Sequence, residues 1–144
     1  MEWQKLYNPV MAAILRSPLH AMMSKSIMLV TFTGRKSGRV YTTPVSYVRN
    51  GDVVTFTTTR LRNWYKNLRD NAPVTLRVQG IDLTGTAQVI EDDDAVEEAL
   101  AVYLRQVPQV ARFFQVRLDA DGTPHAEDIA RAAKERVVVH VHLS

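Results

Sequence analysis

Cysteine is absent from the 144 residues, so disulfides, thiolate metal sites and a cysteine nucleophile are all excluded. Long apolar runs are absent too. The opening MEWQKLYNPVMAAILRSPLHAMMSK is broken by Pro9 and Pro18 and carries Arg16 and Lys25, so no stretch of it suits a membrane span. A secretory leader places cations first, then a clean apolar stretch and a small-residue cleavage site, which this segment does not do. The expectation is a cytoplasmic protein with one domain over residues 1–144, long enough to bury a core without staples.

Several catalytic signatures are missing as well. GRKSGR at 34–39 has neither the spacing nor the order of a nucleotide-hydrolase phosphate loop. No serine stands in a G-x-S-x-G context. The acids at 91–98 read as helix caps and a solvated face. His140 and His142 share one face of a strand, but no third ligand is near them in sequence, so solvated imidazoles are expected and no metal. So little acid–base or covalent machinery points to a bound cofactor as the source of the chemistry.

What the chain has is concentrated positive charge. Residues 34–69 hold eight Arg or Lys against Asp52 alone, a local charge of +7, although the whole chain carries only +3. The basic character is therefore that of a site. Arg35, Lys36 and Arg39 crowd a turn bounded by Gly34 and Gly38, and Arg60 and Arg62 follow a later strand.

Helices are expected at 3–8 and 10–23, with Pro9 in a first turn and Pro18 as a kink. Strands are expected at 27–33, 41–49, 53–59, 73–79, 83–90 and 135–143. Pro44 marks an edge or a bulge, and Asn50-Gly51 marks a hairpin. RLRNWYKNLRDN at 60–71 reads as a short helix capped by Asn63. A longer helix follows the Asp92, Asp93 and Asp94 caps, a short one covers 109–116, and another covers 125–135. Six hairpin-linked strands with peripheral helices give an α+β fold, a six-stranded, mostly antiparallel barrel.

If 27–33, 41–48 and 53–59 pair, the basic turn and Arg60 lie at the same end of the sheet. Cations and backbone N–H groups would then surround one mouth and suit phosphate or carboxylate. A solvated basic loop with no ligand fits the composition equally well. Trp64 and Tyr65 suit either a core or a cofactor wall, and Asn67 either a site or a structural bond to a loop carbonyl.

Taken together, TGRKSGRVYTTPVSYV at 33–48, NGD at 50–52, WYKNLRDNAPVTLRV at 64–78 and LTGTA at 83–87 make the chain resemble a known family. With NPVMAAILRSPLH at 8–20, they are similar to the deazaflavin-dependent nitroreductases, the split β-barrel (FMN-binding-like) flavin and deazaflavin oxidoreductases. The resemblance implies such a barrel and coenzyme F420, an 8-hydroxy-5-deazaflavin. Arg35 and Lys36 would meet its phosphate and glutamyl tail, with Arg39 beside them and Ser37 and Gly38 supplying turn backbone. Thr43, Pro44, Val45 and Ser46 would line the ring, and Thr57, Thr58 and Thr59 would meet the coenzyme. Trp64 and Asn67 complete the set.

Many members have Ser-Lys-Gly-Gly where this chain has Thr59-Arg60-Leu61-Arg62-Asn63, so Arg60 stands in for a lysine with different donor geometry. The implied reaction passes a hydride from the reduced coenzyme to a small-molecule acceptor: a quinone, an activated alkene or a nitroaromatic. No catalytic side chain is assigned. The proton would come from solvent, Tyr65 or Tyr41. A homodimer is implied, and peripheral membrane contact through the N-terminal helix is open. The rival readings are a barrel that binds FMN and a non-enzymatic lipid or nucleic-acid module. Nucleic acid is not expected, because the cations gather at turns and not along an aromatic sheet.

Overall fold

β-branched and aromatic residues dominate from Ile27 onward, and in the computed structural model, which describes residues 27–144, they form seven strands. These are β1 (Ile27–Thr33), β2 (Val40–Ser46), β3 (Val48–Asn50), β4 (Val53–Thr59), β5 (Pro73–Val78), β6 (Ile81–Ile90) and β7 (Arg136–Leu143). Every pairing is antiparallel, in the order β2-β1-β5-β6-β7-β4-β3. β2 and β3 end this order, yet only Tyr47 separates them in the chain. The sheet therefore curls until its two edges meet at that residue, giving a split barrel.

Six strands were expected and seven are present. The stretch 41–49 divides at Tyr47, whose ring is buried, and the chain leaves β1 to pair with β4 instead. Pro44 is in the terminal strand β2, opposite Leu29, where its missing N–H costs least. The hairpin after β3 closes through Gly51 and Asp52, one residue later than Asn50-Gly51, because Asn50 already pairs with Val53.

Two layers of core result. Alternate residues of the strands fill the barrel, among them Val30, Phe32, Phe56, Leu76, Val139 and Val141. Val74, Leu76 and Val78 share one buried face of β5, as their alternation requires. Outside the barrel, α1 (Asp93–Gln106) and α2 (Ala126–Glu135) cover β7. Val96, Leu100 and Leu104 of α1 meet Ile129 and Ala133 of α2 over Val138. β7 is thus buried on both faces, which is why its valines run almost without a break. Asp92 caps α1 by accepting a hydrogen bond from the Ala95 N–H at 3.2 Å, and Asp93 and Asp94 complement its N-terminal dipole.

Two 3-10 helices complete the fold, at Asn63–Leu68 and Pro108–Phe114. The first replaces the expected helix over 60–71. Arg62, not Asn63, occupies its cap position, with no side-chain bond. The expected helices at 3–8 and 10–23 lie outside the described residues. Among the described residues, no helix is long and apolar enough to cross a membrane.

Candidate functional site

The 34–39 turn is built from backbone, so its cations do not have to hold it. The Gly38 N–H donates to the Gly34 carbonyl at 2.9 Å and the Gly34 N–H to the Arg39 carbonyl at 2.8 Å. Gly38 has φ of 70°, the left-handed region. A Cβ on Gly34 would come within 2.7 Å of the Tyr41 ring, so glycine is also required there. Ser37 Oγ accepts from the Arg39 N–H at 3.1 Å and shares a hydrogen bond with the Tyr41 hydroxyl at 3.0 Å. Arg35 and Lys36 are exposed, and neither pairs with a carboxylate among the described residues.

The first 3-10 helix is tied to this turn. Asn67 Oδ1 accepts from the Arg35 N–H at 2.9 Å, and its Nδ2 donates to the Trp64 carbonyl at 3.0 Å. Trp64, only 1 % exposed, stacks at 5.4 Å from Phe32 and 5.9 Å from Phe56. The tryptophan thus belongs to the core and presents an edge to the cleft beside it.

That cleft, of about 440 Å³, lies between strands β2 and β4 and the second 3-10 helix. Thr43, Pro44, Val45 and Ser46 form one wall, and Thr57, Thr58 and Thr59 another, with Trp64 at the base. Opposite them stand Val110, Phe113 and Phe114, while Arg62, Tyr103 and Arg136 supply the polar groups. Two stretches far apart in sequence thus converge because β2 curls onto β4.

Arg136 is the unexpected member of this set. Its Nε donates to Thr57 Oγ1 at 3.1 Å, and its guanidinium carbon stands 4.2 Å from the centre of the Phe114 ring. No carboxylate among the described residues pairs with it. Burial pulls its pKa below the usual arginine value, opposed by Tyr103 and Glu135. Burial likewise pushes the Tyr103 phenol upward, and Arg136 opposes this in turn. The cleft therefore holds a permanent, partly desolvated cation beside a protonated phenol.

Arg60 is placed differently from the expectation. Its Nε donates to the Arg136 carbonyl at 3.0 Å, and its Nη2 to the carbonyls of Glu91 and Ala133 at 2.7 and 3.1 Å. A weak ion pair with Asp93 at 3.4 Å adds to these. Its guanidinium joins the end of β4 to β7 and the start of α1, and it does not line the cleft. Arg62 does. The basic turn leaves β1 at the same end of the sheet where Arg62 follows β4, since β1 and β4 run in the same direction.

Of the predicted residues, eight line the cleft, whereas Arg35, Lys36, Ser37, Gly38, Arg39, Arg60 and Asn67 do not. Sequence reasoning missed Tyr103, Arg136 and the Phe113–Phe114 pair. Arg136 reads as an ordinary polar strand start, although it shares the face of Val138 on which α1 lies. His140 and His142 do lie on one face, but His140 Nδ1 meets Thr55 Oγ1 at 2.8 Å and His142 Nε2 meets Gln88 Oε1 at 2.9 Å. Among the described residues, no group of three His, Asp or Glu gathers as a metal site.

A curled antiparallel sheet with a cleft along its terminal strand is a split-barrel architecture, and solved structures carry it. A protein of unknown function from Agrobacterium tumefaciens matches with a TM-score of 0.56 at 15 % identity, covering 94 % of this chain and 58 % of that one. This chain therefore spans less than two thirds of that protein's length. An FAD- and heme-binding protein from Mycobacterium smegmatis matches at 0.55 and 17 % identity, covering 90 % and 67 %. A NimC/NimA family protein from Clostridium acetobutylicum matches at 0.53 and 12 %, covering 96 % and 85 %. Such likeness speaks for the fold alone. No curated protein is significantly similar to the chain.

Residues 16–121 match the F420H(2)-dependent quinone reductase family, and the chain belongs to it. It is accordingly a deazaflavin-dependent oxidoreductase, with coenzyme F420 as its cofactor.

Proposed function

We propose that the cleft between β2 and β4 binds reduced coenzyme F420 and that a quinone is the acceptor. The observation that carries this reading is the convergence of Pro44, Val45 and Ser46 with Thr57, Thr58 and Thr59 around a cleft holding Arg136, which no carboxylate among the described residues pairs. The residues present fit the coenzyme. Pro44, Val45 and the Phe113–Phe114 pair suit its ring, backbone at the edge of the sheet suits its carbonyl and N–H groups, and Arg62 with the basic turn suits an anionic tail.

When bound, the reduced coenzyme supplies the hydride. The chain's own residues position and shield the reaction. Backbone at Val45 and Ser46 orients the ring, while Arg62, Lys36 and Arg35 hold phosphate and carboxylates at the mouth. Phe114, braced by Arg136, gives a planar acceptor a surface to stack on, and Val110 and Phe113 add apolar surface on that side. As charge develops on the acceptor oxygen, Arg136 stabilises it in a site already partly dry.

The test is anaerobic mixing of the purified protein with reduced F420 and menadione, a soluble naphthoquinone, following return of the oxidised coenzyme's absorbance. Enzyme-dependent oxidation with one hydroquinone formed per coenzyme supports the reading. No acceleration over buffer, or tight FMN and no F420 binding, would overturn it.

A further inference from the structure

Reducing a quinone needs a proton as well as a hydride, and the structure moves the source away from the tyrosines favoured by sequence. The Tyr41 hydroxyl is engaged with Ser37 on the basic turn. Tyr65 is buried beneath the Arg69 guanidinium, 5.8 Å from its ring centre. Neither lines the cleft.

Tyr103 does. It is only 3 % exposed, and its hydroxyl makes no hydrogen bond among the described residues, yet it is not one of their buried polar atoms without a partner, so its oxygen keeps an opening to solvent. Tyr103 also lines a second cavity of about 410 Å³ beneath α1, whose wall includes Glu98, Gln106, Thr55 and His140. It therefore stands between the cleft and a separate polar opening. Arg136 is close enough to act on it electrostatically.

We infer that Tyr103 is the proton donor of the reduction, delivering the proton of its O–H to the acceptor oxygen. This rests on the reading of the cleft given above. As one oxygen of the quinone takes up the hydride, the electron pair that arrives with it leaves negative charge on the other oxygen. The Tyr103 O–H bond breaks, an O–H bond forms on the acceptor, and a hydroquinone results. The negative charge left on Tyr103 faces the Arg136 guanidinium. Water entering by the second cavity returns the proton, so the protein ends unchanged. The acceptor oxygen is then the group that this open hydroxyl meets in the cleft. Burial, which keeps the phenol protonated across neutral pH, suits an acid of this kind.

Tyr103→Phe removes the proton and keeps the ring. With reduced F420 and menadione, kcat should fall by about 100-fold or more, with KM changed less than about threefold. The parent's solvent deuterium isotope effect should be lost. The melting temperature should hold or rise, since the hydroxyl bonds nothing. A readout independent of turnover is 13C NMR of coenzyme-free protein labelled at tyrosine Cζ. The resonance missing from Tyr103→Phe should move when menadione is added. Parent turnover with kcat unchanged in the variant would overturn the role of Tyr103 and leave the cleft reading standing. A parent that binds F420 but reduces no menadione, with no Tyr103 resonance moved, would overturn both. Should Tyr103→Phe be too unstable to assay, the Tyr103 resonance is assigned by elimination from phenylalanine variants of the other four tyrosines, and its shift or lack of shift decides.

Discussion

Asn67 and Arg35, 32 residues apart, are joined by one half-buried hydrogen bond: the Asn67 carboxamide oxygen accepts from the Arg35 N–H at 2.9 Å. Through it, the core tryptophan helix fixes the position of the cationic turn. Asn67→Ala leaves the Arg35 N–H and the Trp64 carbonyl without these partners, at a cost of about 1–2 kcal/mol. Urea unfolding should show that loss. F420 affinity should weaken as well, because the turn loses its tether, although Asn67 is outside the cleft.

Arg60 and Arg62 differ by two positions and should differ entirely in consequence. The Arg60 guanidinium donates to three carbonyls, so Arg60→Ala should destabilise the protein by about 2–3 kcal/mol and leave F420 affinity of the folded protein unchanged. Arg62→Ala should alter stability by less than about 0.5 kcal/mol and weaken F420 binding several-fold. Paired melting curves and fluorescence titrations separate the two roles.

The pH dependence of stability should carry the mark of Asp128. Its carboxylate accepts from the Arg117 Nε at 2.8 Å and from the Arg117 N–H at 2.9 Å, which holds its pKa at about 2, below the ordinary 3.8. A group depressed in the folded state contributes stability above its unfolded value and loses it as pH falls through the folded one. The difference in urea midpoint between the parent and Asp128→Asn should therefore be constant above about pH 5 and shrink steadily as pH falls toward and through about 2.

Much of the barrel was legible because its strands follow period-2 alternation, as Val74, Leu76 and Val78 show. The split at Tyr47 was not, since a strand that changes partners keeps its alternation and only its hydrogen bonds move. The cleft-lining residues of β2 and β4 could be named only because the chain's motifs resemble those of a known family, not from their composition or alternation. Arg60 misled for a physical reason: a cation after a strand looks alike in sequence whether it meets a ligand or three backbone carbonyls. Arg136 and Tyr103 stayed hidden because their shared place in the cleft depends on α1 crossing β7, a packing that no local pattern specifies.

The most direct test of the central claim is a fluorescence titration of F420 into the parent and Lys36→Glu, with melting temperatures measured on the same samples. Lys36 is exposed and has no carboxylate partner among the described residues, so its charge reversal should leave the fold intact. The account predicts a Kd raised by at least about tenfold, equivalent to about 1.4 kcal/mol, with the melting temperature unchanged. Equal Kd values for the two proteins would contradict it.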